Sequence, residues 1–309
     1  MNSPGKLTFD LLVVLGPTAS GKTRLGVALA RALRGEIISA DSRQVFRGMD
    51  IGTGKDLAEY EDIPYHLIDI VDPGQEFSLF EYQRRFLESY AAILGRERLP
   101  ILVGGSGMYL QGVLQGYRLV ETPPNPDLRR ELSDLPLPAL VERLKGCTTR
   151  QHNTTDLRER GRLVRAIEIA EYGRDHEPFP LPEIKSMIFA IRWDRAVLRK
   201  RITARLKERL EQGMIEEVAR LHSAGVSWET MEFYGLEYRF IARHLKGELN
   251  FNDMFQKLNS AIHDFAKRQE TWFRRMEREG IEIHWLDGSG DPFTEALGIL
   301  CRHHLDNQQ

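Results

Sequence analysis

The sequence predicts an α/β protein: a parallel sheet core carrying a phosphate-binding loop, with an inserted, mostly helical domain. Three observations carry this. Apolar runs at 11–15, 36–40, 66–71 and 100–104 have the length of buried strands and alternate with helix-period segments. The first run feeds directly into GPTASGKT at 16–23, which fits GxxxxGK[ST] in the strand-to-helix setting that the motif needs. Beyond residue 120 the texture changes to proline-punctuated and then helix-dominated sequence, before strand-like runs return at 187–193 and 282–286.

Taken in order, 11–15 is a strand, and the segment after the Gly-rich turn is helical to residue 33. Strands at 36–40, 66–71 and 100–104 follow, with an amphipathic helix at 79–94 between the last two. Short apolar strands separated by helices imply a parallel sheet covered on both faces. Pro123, Pro124, Pro126, Pro136 and Pro138 then break up a polar stretch, and 173–182 is a second proline-rich break. After a strand at 187–193, Leu198, Ile202, Leu206, Leu210, Met214, Val218 and Leu221 recur at spacings of four and three. That stripe reads as one long helix packed on other helices, and 238–245 and 251–276 continue the helical pattern. The division expected is a core over 1–195 with a helical excursion at about 121–182, a helical insertion at 196–256, and a return to the core over 257–309.

Composition bounds the function. The chain has 309 residues, long enough for two structural units and a proper core. No apolar run approaches the ~20 residues of a membrane span, and residues 1–10 lack the apolar stretch of a secretory signal. The two cysteines, Cys147 and Cys301, are far apart, which excludes a disulfide framework and a Cys-rich zinc module and favours a reducing, cytoplasmic setting. A net charge of −2 leaves room for a local basic face that binds a polyanion.

The glycines of the 16–23 loop allow backbone N–H groups to close around a phosphate, and the following helix adds positive potential. Lys22 would neutralise phosphate oxygens and the Thr23 hydroxyl would ligate Mg²⁺. ATP is the default occupant of such a loop, yet no clean second acidic motif completes an ATPase metal site; Asp69 and Asp72 are the nearest candidates. Asp41, directly after the second strand, falls at the sheet edge where ligands bind in open α/β folds. It reads either as a general base or water-mediated metal ligand, or as a cap for the next turn. The Gly-rich stretches 48–54 and 104–107 belong to the same edge, the latter offering the Ser106 hydroxyl. Basic clusters at 192–209, at 158–165 and at 265–278, the last interleaved with Trp272 and Phe273, point together to a polyanionic partner.

These segments, in this order, resemble the tRNA dimethylallyltransferases (tRNA isopentenyltransferases) of the P-loop superfamily. The resemblance is carried by GPTASGKT at 16–23, ADSRQVFRGMDIGTGK at 40–55, YHLIDIVDP at 65–73, PILVGGSGMYLQGVL at 100–114, RLVRAIE at 162–168 and AKRQETWFRR at 266–275. It implies a P-loop NTPase-like core and transfer of a five-carbon allyl group from dimethylallyl diphosphate to N6 of the adenosine 3′ of the anticodon. In the family the loop Gly16, Pro17, Thr18, Ala19, Ser20, Gly21, Lys22 and Thr23 would grip the diphosphate of the donor. Lys22 and Arg205 would neutralise the leaving group, Thr23 would hold Mg²⁺, and Asp41 would be the general base. Positions matching those that meet tRNA are Asp41, Ser42, Arg43, Gln44, Ser106 and Arg129. So are Gly161, Leu163, Val164 and the arginines Arg162 and Arg165. Tyr234, Glu237 and Arg239 follow, then Lys267, Arg268, Gln269, Thr271, Trp272 and Arg274. The 196–256 insertion is thus expected to face tRNA, and the protein to act as a monomer.

The chain departs from the family pattern at three places: Ser106 stands where Thr is usual, 158–161 replaces a His-Pro-Asn-Asp stretch, and Glu237 alters the GYxE segment. The zinc finger of eukaryotic relatives is absent, which points to the bacterial type. Competing readings are prenyl transfer to a free adenine nucleotide, an ATP-dependent small-molecule kinase, and a non-catalytic RNA-binding paralogue.

Overall fold

A computed structural model describes residues 8–147 and 159–306. Residues 1–7 of the expected lead-in, and Arg158 of the third basic cluster, lie outside the described residues. The chain divides into two compact units, Met1–Gln115 with Glu183–Gln309, and Gly116–Pro182.

The first unit is built on six parallel strands, β1 (Leu11–Leu15), β2 (Gly35–Ala40), β3 (Tyr65–His66), β4 (Leu99–Gly104), β5 (Ser186–Arg192) and β6 (His284–Asp287), in the order β3-β2-β4-β1-β5-β6. Leu15, Gly104 and Ala190 stand in register, as do Ala40 and Gly104, so the strands end level at one edge. The loops after β1, β2, β4, β5 and β6 therefore emerge side by side, and chemistry scattered over nearly 280 residues of sequence is collected there. Both faces are covered. Helices α1 (Lys22–Leu33) and α12 (Pro292–Asp306) lie over Leu12, Val14, Ile101 and Phe189. Helices α2 (Leu79–Gly95) and α3 (Gly107–Leu114) lie over Leu11, Val13, Ile38 and Leu102. Two-sided burial explains why the strands read as continuous apolar runs rather than as alternating ones.

Two expected elements differ in the structure. The run 66–71 is a strand only at Tyr65–His66, because Leu67 and Asp69 take positive φ (63° and 57°), a conformation that leaves the pleat. The long helix read from 198 to 221 is two helices, α7 (Arg195–Glu211) and α8 (Met214–Ser223). Gly213 sits between them at φ 96°, where a side chain would be strained, and it turns the chain while keeping the apolar stripe inward.

The helices at 196–256 include α9 (Trp228–Phe233), α10 (Leu236–Leu245) and the start of α11 (Phe251–Arg278). They do not form a unit of their own but belong with the sheet, and the segment that separates is 116–182. The physical reason is α11. Its buried stripe Met254, Leu258, Ile262 and Ala266 packs in the helical layer, while Phe273 and Met276, further along the same helix, pack on the sheet. A single rigid helix shared by both layers fuses them.

Among the described residues the second unit holds the helices α4 (Pro126–Ser133), α5 (Leu137–Cys147) and α6 (Arg160–Tyr172), around Leu128, Leu132, Leu140, Leu144, Leu163 and Ile167. Asn125 caps α4 by accepting the Leu128 N–H at 3.0 Å. The Glu168 carboxylate, fully buried, accepts two bonds from Arg129 (2.7 and 3.0 Å), one from Arg165 (3.0 Å) and the Asn125 N–H (2.9 Å). Burial pushes the Glu168 carboxyl up, but the Arg129, Asn125 and Arg165 hydrogen bonds outweigh it and hold its pKa down at about 2. The sign follows: this stabilisation is complete above the ordinary glutamate range and is lost as pH falls toward about 2. Glu168→Ala removes four hydrogen bonds and leaves the Asn125 N–H unpaired; unfolding in urea should show a loss of about 2 kcal/mol at neutral pH. An unchanged midpoint would contradict the assigned role.

Candidate active site

The loop between β1 and α1 carries the phosphate motif. Ala19 and Gly21 both adopt positive φ (61° and 91°), which wraps the backbone back before α1 begins at Lys22. Three outside groups lock the loop. The Gln269 amide accepts the Thr18 N–H at 2.9 Å and donates to the Gly105 carbonyl at 2.9 Å, bridging the phosphate loop to the turn after β4. Trp193, directly after β5, donates its indole N–H to the Ser20 carbonyl at 2.9 Å. Arg201, on α7, donates to the Ala19 carbonyl at 2.9 Å and lies 4.2 Å over the Trp193 ring. A loop tied at three places presents its N–H groups in fixed directions, which lowers the ordering cost of anion binding.

A cleft of about 770 Å³ opens beside this loop, lined by residues 19–25, by Asp56 and Glu59, by one face of α7, and by Gly288 and residues 290–293 leading into α12. The basic residues in it are Lys22, Arg24, Arg201, Arg205 and Arg209. The last three stand four apart on α7 and so share one helix face. Arg205 is ion-paired with Asp56. Arg209 is buried, with Glu237 4.0 Å away, and its Nε has no hydrogen-bond partner; nor does the buried Ser20 Oγ. Buried polar atoms left unpaired in a cationic cleft are the mark of a site made for an anion. Burial, followed by the charge of Arg205, lowers the Lys22 ammonium to a pKa of about 8, with Asp41 acting in the opposite direction. Neither Lys22 Nζ nor Thr23 Oγ1 makes a hydrogen bond with any described residue, so both are available to a ligand.

The loop at 48–55 positions Asp56 and through it Arg205. Glu217, on α8 and only 2% exposed, accepts the N–H groups of Asp50, Ile51 and Gly52 at 2.9, 2.7 and 3.0 Å, and the Tyr238 hydroxyl at 2.7 Å. Lys55 is buried and donates to the Phe46 carbonyl and to Asp50 and Asp69. Gly54 has φ 61°, and a Cβ there would lie 1.5 Å from an Arg209 nitrogen, so only glycine lets the guanidinium lie against this backbone. Asp69 thus pairs with the buried Lys55, and Asp72 pairs with Arg47 at the surface.

Asp41 lies at the end of β2. One carboxylate oxygen accepts the Arg43 N–H at 2.9 Å, and the other has no hydrogen bond from any described residue. Asp41 does not line the 770 Å³ cleft, although its charge acts on the Lys22 ammonium. Beside it, Ser106 Oγ accepts the Ser42 N–H at 2.9 Å, and the Ser106 N–H donates to the Ala40 carbonyl at 3.1 Å. The loops after β2 and β4 are thereby joined. Gln44 is buried, tied to Ser39 and to the Gly54 carbonyl.

The other expected RNA-facing residues divide. Lys267, Arg268, Thr271 and Arg274 are exposed along α11, and Arg239 is exposed on α10. Gln269 is buried, its amide spent on the two loops, and Trp272 is half-buried. Tyr234 is buried against Phe46, and Glu237 is half-buried, its carboxyl pushed up by burial while Arg209 pulls it down. In the second unit, Leu163 is in the core and cannot meet a partner, and Arg129 and Arg165 serve Glu168. Val164 is half-buried, whereas Gly161 and Arg162 are exposed, Arg162 beside Glu159 at 2.9 Å. Sequence reading placed Arg201 and Arg209 only in the 192–209 basic cluster, not at the phosphate loop, and gave no role to Trp193 or Glu217. The four-residue spacing of Arg201, Arg205 and Arg209 was the available signal for the first two; Glu217 gave none, being one of many acids on an amphipathic helix.

A parallel sheet whose first strand turns through GxxxxGK[ST] into a helix, with cations gathered over that loop, defines a P-loop phosphate-binding protein. Comparison with known proteins narrows this class. The family model described as IPP transferase matches residues 44–276. The tRNA dimethylallyltransferase 1 of Geotalea uraniireducens (strain Rf4) is 70% identical over 294 residues, 95% of this chain and 98% of that one. Its counterpart in Geotalea daltonii is 67% identical over 294 residues, covering 95% and 96%. The crystal structure of the full-length tRNA isopentenylpyrophosphate transferase from Bacillus halodurans superposes with a TM-score of 0.70 at 30% identity, over 98% of this chain and 100% of that one. The chain belongs to the IPP transferase family, among the tRNA dimethylallyltransferases.

One consequence concerns Lys22. Its ammonium is charged below about pH 8 and neutral above, so its attraction for a polyphosphate is lost as pH rises through that value. In calorimetric titrations with inorganic diphosphate, the wild-type protein should lose affinity relative to Lys22→Arg between about pH 7 and pH 9, because arginine keeps its charge there. Parallel profiles for the two proteins would contradict this placement of the charge.

Proposed function

We propose that this chain transfers a dimethylallyl group from dimethylallyl diphosphate to N6 of the adenosine immediately 3′ of the tRNA anticodon, releasing diphosphate. The observation that carries this reading is a carboxylate with one open oxygen, Asp41, on the same sheet edge as a phosphate loop surrounded by cations. Membership in the IPP transferase family, whose model matches residues 44–276, favours this reading over phosphoryl transfer.

In the reaction the N6 lone pair forms a bond to the allylic C1 as the C1–O bond to diphosphate breaks, the electron pair leaving on oxygen. Negative charge builds on the diphosphate, and Lys22, Arg205 and the loop N–H groups at 16–23 stabilise it where it develops. As N–C bonding proceeds the amine proton becomes acidic, and the open oxygen of Asp41 takes it. Arg209 and Arg201 join Arg205 in holding the donor. Mg²⁺ fits the residues present: Thr23 Oγ1 is uncommitted at the mouth of the loop. Among the described residues no three His, Cys, Asp or Glu side chains form a metal cage, so such an ion would complete its shell with phosphate oxygens and water. Bound there, it would add charge stabilisation to the leaving group.

The acceptor adenosine has to leave the loop stack to reach Asp41. For the RNA we propose the half-buried Ser42, Arg43 and Ser106 beside Asp41 and the exposed Arg239, with the exposed Lys267, Arg268, Thr271 and Arg274 along α11 as phosphate contacts. Gly161 and Arg162 are the corresponding surface positions of the second unit. Trp272, half-buried between Gly107 and Arg275, supports the turn that carries Ser106. Lys22, Thr23, Asp41 and Arg205 all come from one chain, so a monomer suffices; among the described residues no helix is long and apolar enough to cross a membrane, and the reading places the enzyme with its tRNA in the cytoplasm.

Labelled dimethylallyl diphosphate, Mg²⁺ and an unmodified anticodon stem–loop carrying A at the acceptor position should give labelled RNA, and no label when that A is replaced by G. Label appearing in AMP or ATP instead would overturn the RNA acceptor. Asp41→Ala should lower transfer at least about 100-fold with diphosphate binding retained, and near-normal turnover would overturn its role. Replacing Lys267, Arg268 and Arg274 together by Gln should weaken stem–loop binding and flatten its salt dependence by about three phosphate contacts at most. An unchanged slope would remove the α11 face from the interface.

A further inference from the structure

Phe233 is 70% exposed, the most exposed of the large hydrophobic side chains among the described residues. It is the last residue of α9, and its neighbour Tyr234 is 3% exposed. The two rings take opposite fates because consecutive helical residues point about 100° apart. Tyr234 anchors the helix end: its ring packs 4.6 Å from Phe46 and its hydroxyl oxygen accepts the Gly74 N–H. Ser227 caps the other end by accepting the Thr230 N–H at 3.2 Å, and Arg239 donates to the Glu232 carbonyl at 3.1 Å. The backbone that presents Phe233 is therefore fixed, while its ring is left in water.

One side of the ring is already matched. The Arg43 guanidinium lies 5.4 Å from its centroid, and the Arg43 N–H is the group held by Asp41. Arg239, exposed on α10, bonds to the Glu232 carbonyl next to Phe233, and its charge acts on the Arg43 guanidinium. An aromatic face open to solvent beside an arginine that stands two residues from Asp41 is the arrangement that proteins use to hold unstacked bases.

We infer that Phe233, with Arg43 beside it, is a stacking platform for an unpaired base of the same RNA loop, next to the adenosine that enters the site. The inference rests on the transfer reading above. Once the acceptor adenosine is extruded, its neighbours lose a stacking partner, and the Phe233 ring replaces it. Phe233 touches RNA but not the reacting atoms, so it determines affinity and the choice of loop sequence rather than the chemical step.

The test uses the full chain and an unmodified anticodon stem–loop. Phe233→Ala and Phe233→Leu should each weaken stem–loop binding about 10-fold, and Phe233→Trp should restore it, because stacking needs a π-face rather than apolar area. The rate at saturating RNA, the affinity for inorganic diphosphate and the slope of log Kd against log salt should stay unchanged, since no charge is altered. With 2-aminopurine placed in turn at the loop positions flanking the acceptor, one position should be quenched by the wild type and not by Phe233→Ala. Wild-type affinity in the Leu or Ala variant would overturn the platform while leaving transfer intact. Failure of the wild type to bind the stem–loop at all would overturn the transfer reading and this inference with it.

Discussion

Positive charge concentrated over the phosphate loop is the constraint around which this protein is organised. Lys22, Arg24, Arg201, Arg205 and Arg209 line one cleft, and their mutual repulsion acts against folding whenever no anion is present. The depressed Lys22 ammonium is the local record of that repulsion and of burial. The fold answers it with fixed counter-charges rather than with solvent. Asp56 pairs with Arg205, and Glu237 approaches Arg209. Asp56 is held in place because Glu217 gathers three successive backbone N–H groups of the preceding loop. In the reaction we propose, a departing diphosphate would meet charge that is already oriented, at no cost of reorganisation at the moment of bond breaking.

Two helices make this arrangement rigid. The α7 helix reaches the loop through Arg201 and sends Arg205 and Arg209 from the same face into the cleft. The α11 helix supplies Gln269, whose single amide joins the phosphate loop to the turn carrying Ser106, and continues outward with its exposed basic residues. One face of α11 thus braces the donor site while the other is available to a polyanion. That dual use explains why the 196–256 helices are inseparable from the sheet: the helix that would end an insertion is part of the site's frame.

Much of this was legible in the sequence, and the part that was not has physical reasons. The sheet strands were visible because burial on both faces makes them unbroken apolar runs, and the phosphate loop because its glycines and Lys-Thr pair have a fixed spacing. Asp41 could be placed because a residue just after a parallel strand has to lie at the ligand edge. The break at Gly213 was hidden because α8 continues the four-and-three stripe of α7, so periodicity alone does not register the turn. Leu67 and Asp69 read as strand since composition does not reveal a left-handed backbone. Gln269 sits in a stretch of exposed charges and looks like one more surface residue; its burial follows from the stripe of Ile262, Ala266, Phe273 and Met276 that it interrupts. Glu217 and Phe233 depend on contacts more than 150 residues away in sequence, which no local pattern encodes.

We propose a division of labour in which cations over the phosphate loop take the leaving diphosphate and the open oxygen of Asp41 takes the N6 proton. The most direct measurement is a crystal structure of the protein with a non-hydrolysable thio analogue of dimethylallyl diphosphate and an unmodified anticodon stem–loop. The diphosphate should lie on the 16–23 loop against Lys22 and Arg205, with the extruded adenine N6 within about 3 Å of Asp41. A diphosphate bound away from that loop, or an adenine whose N6 is out of reach of Asp41, would contradict it.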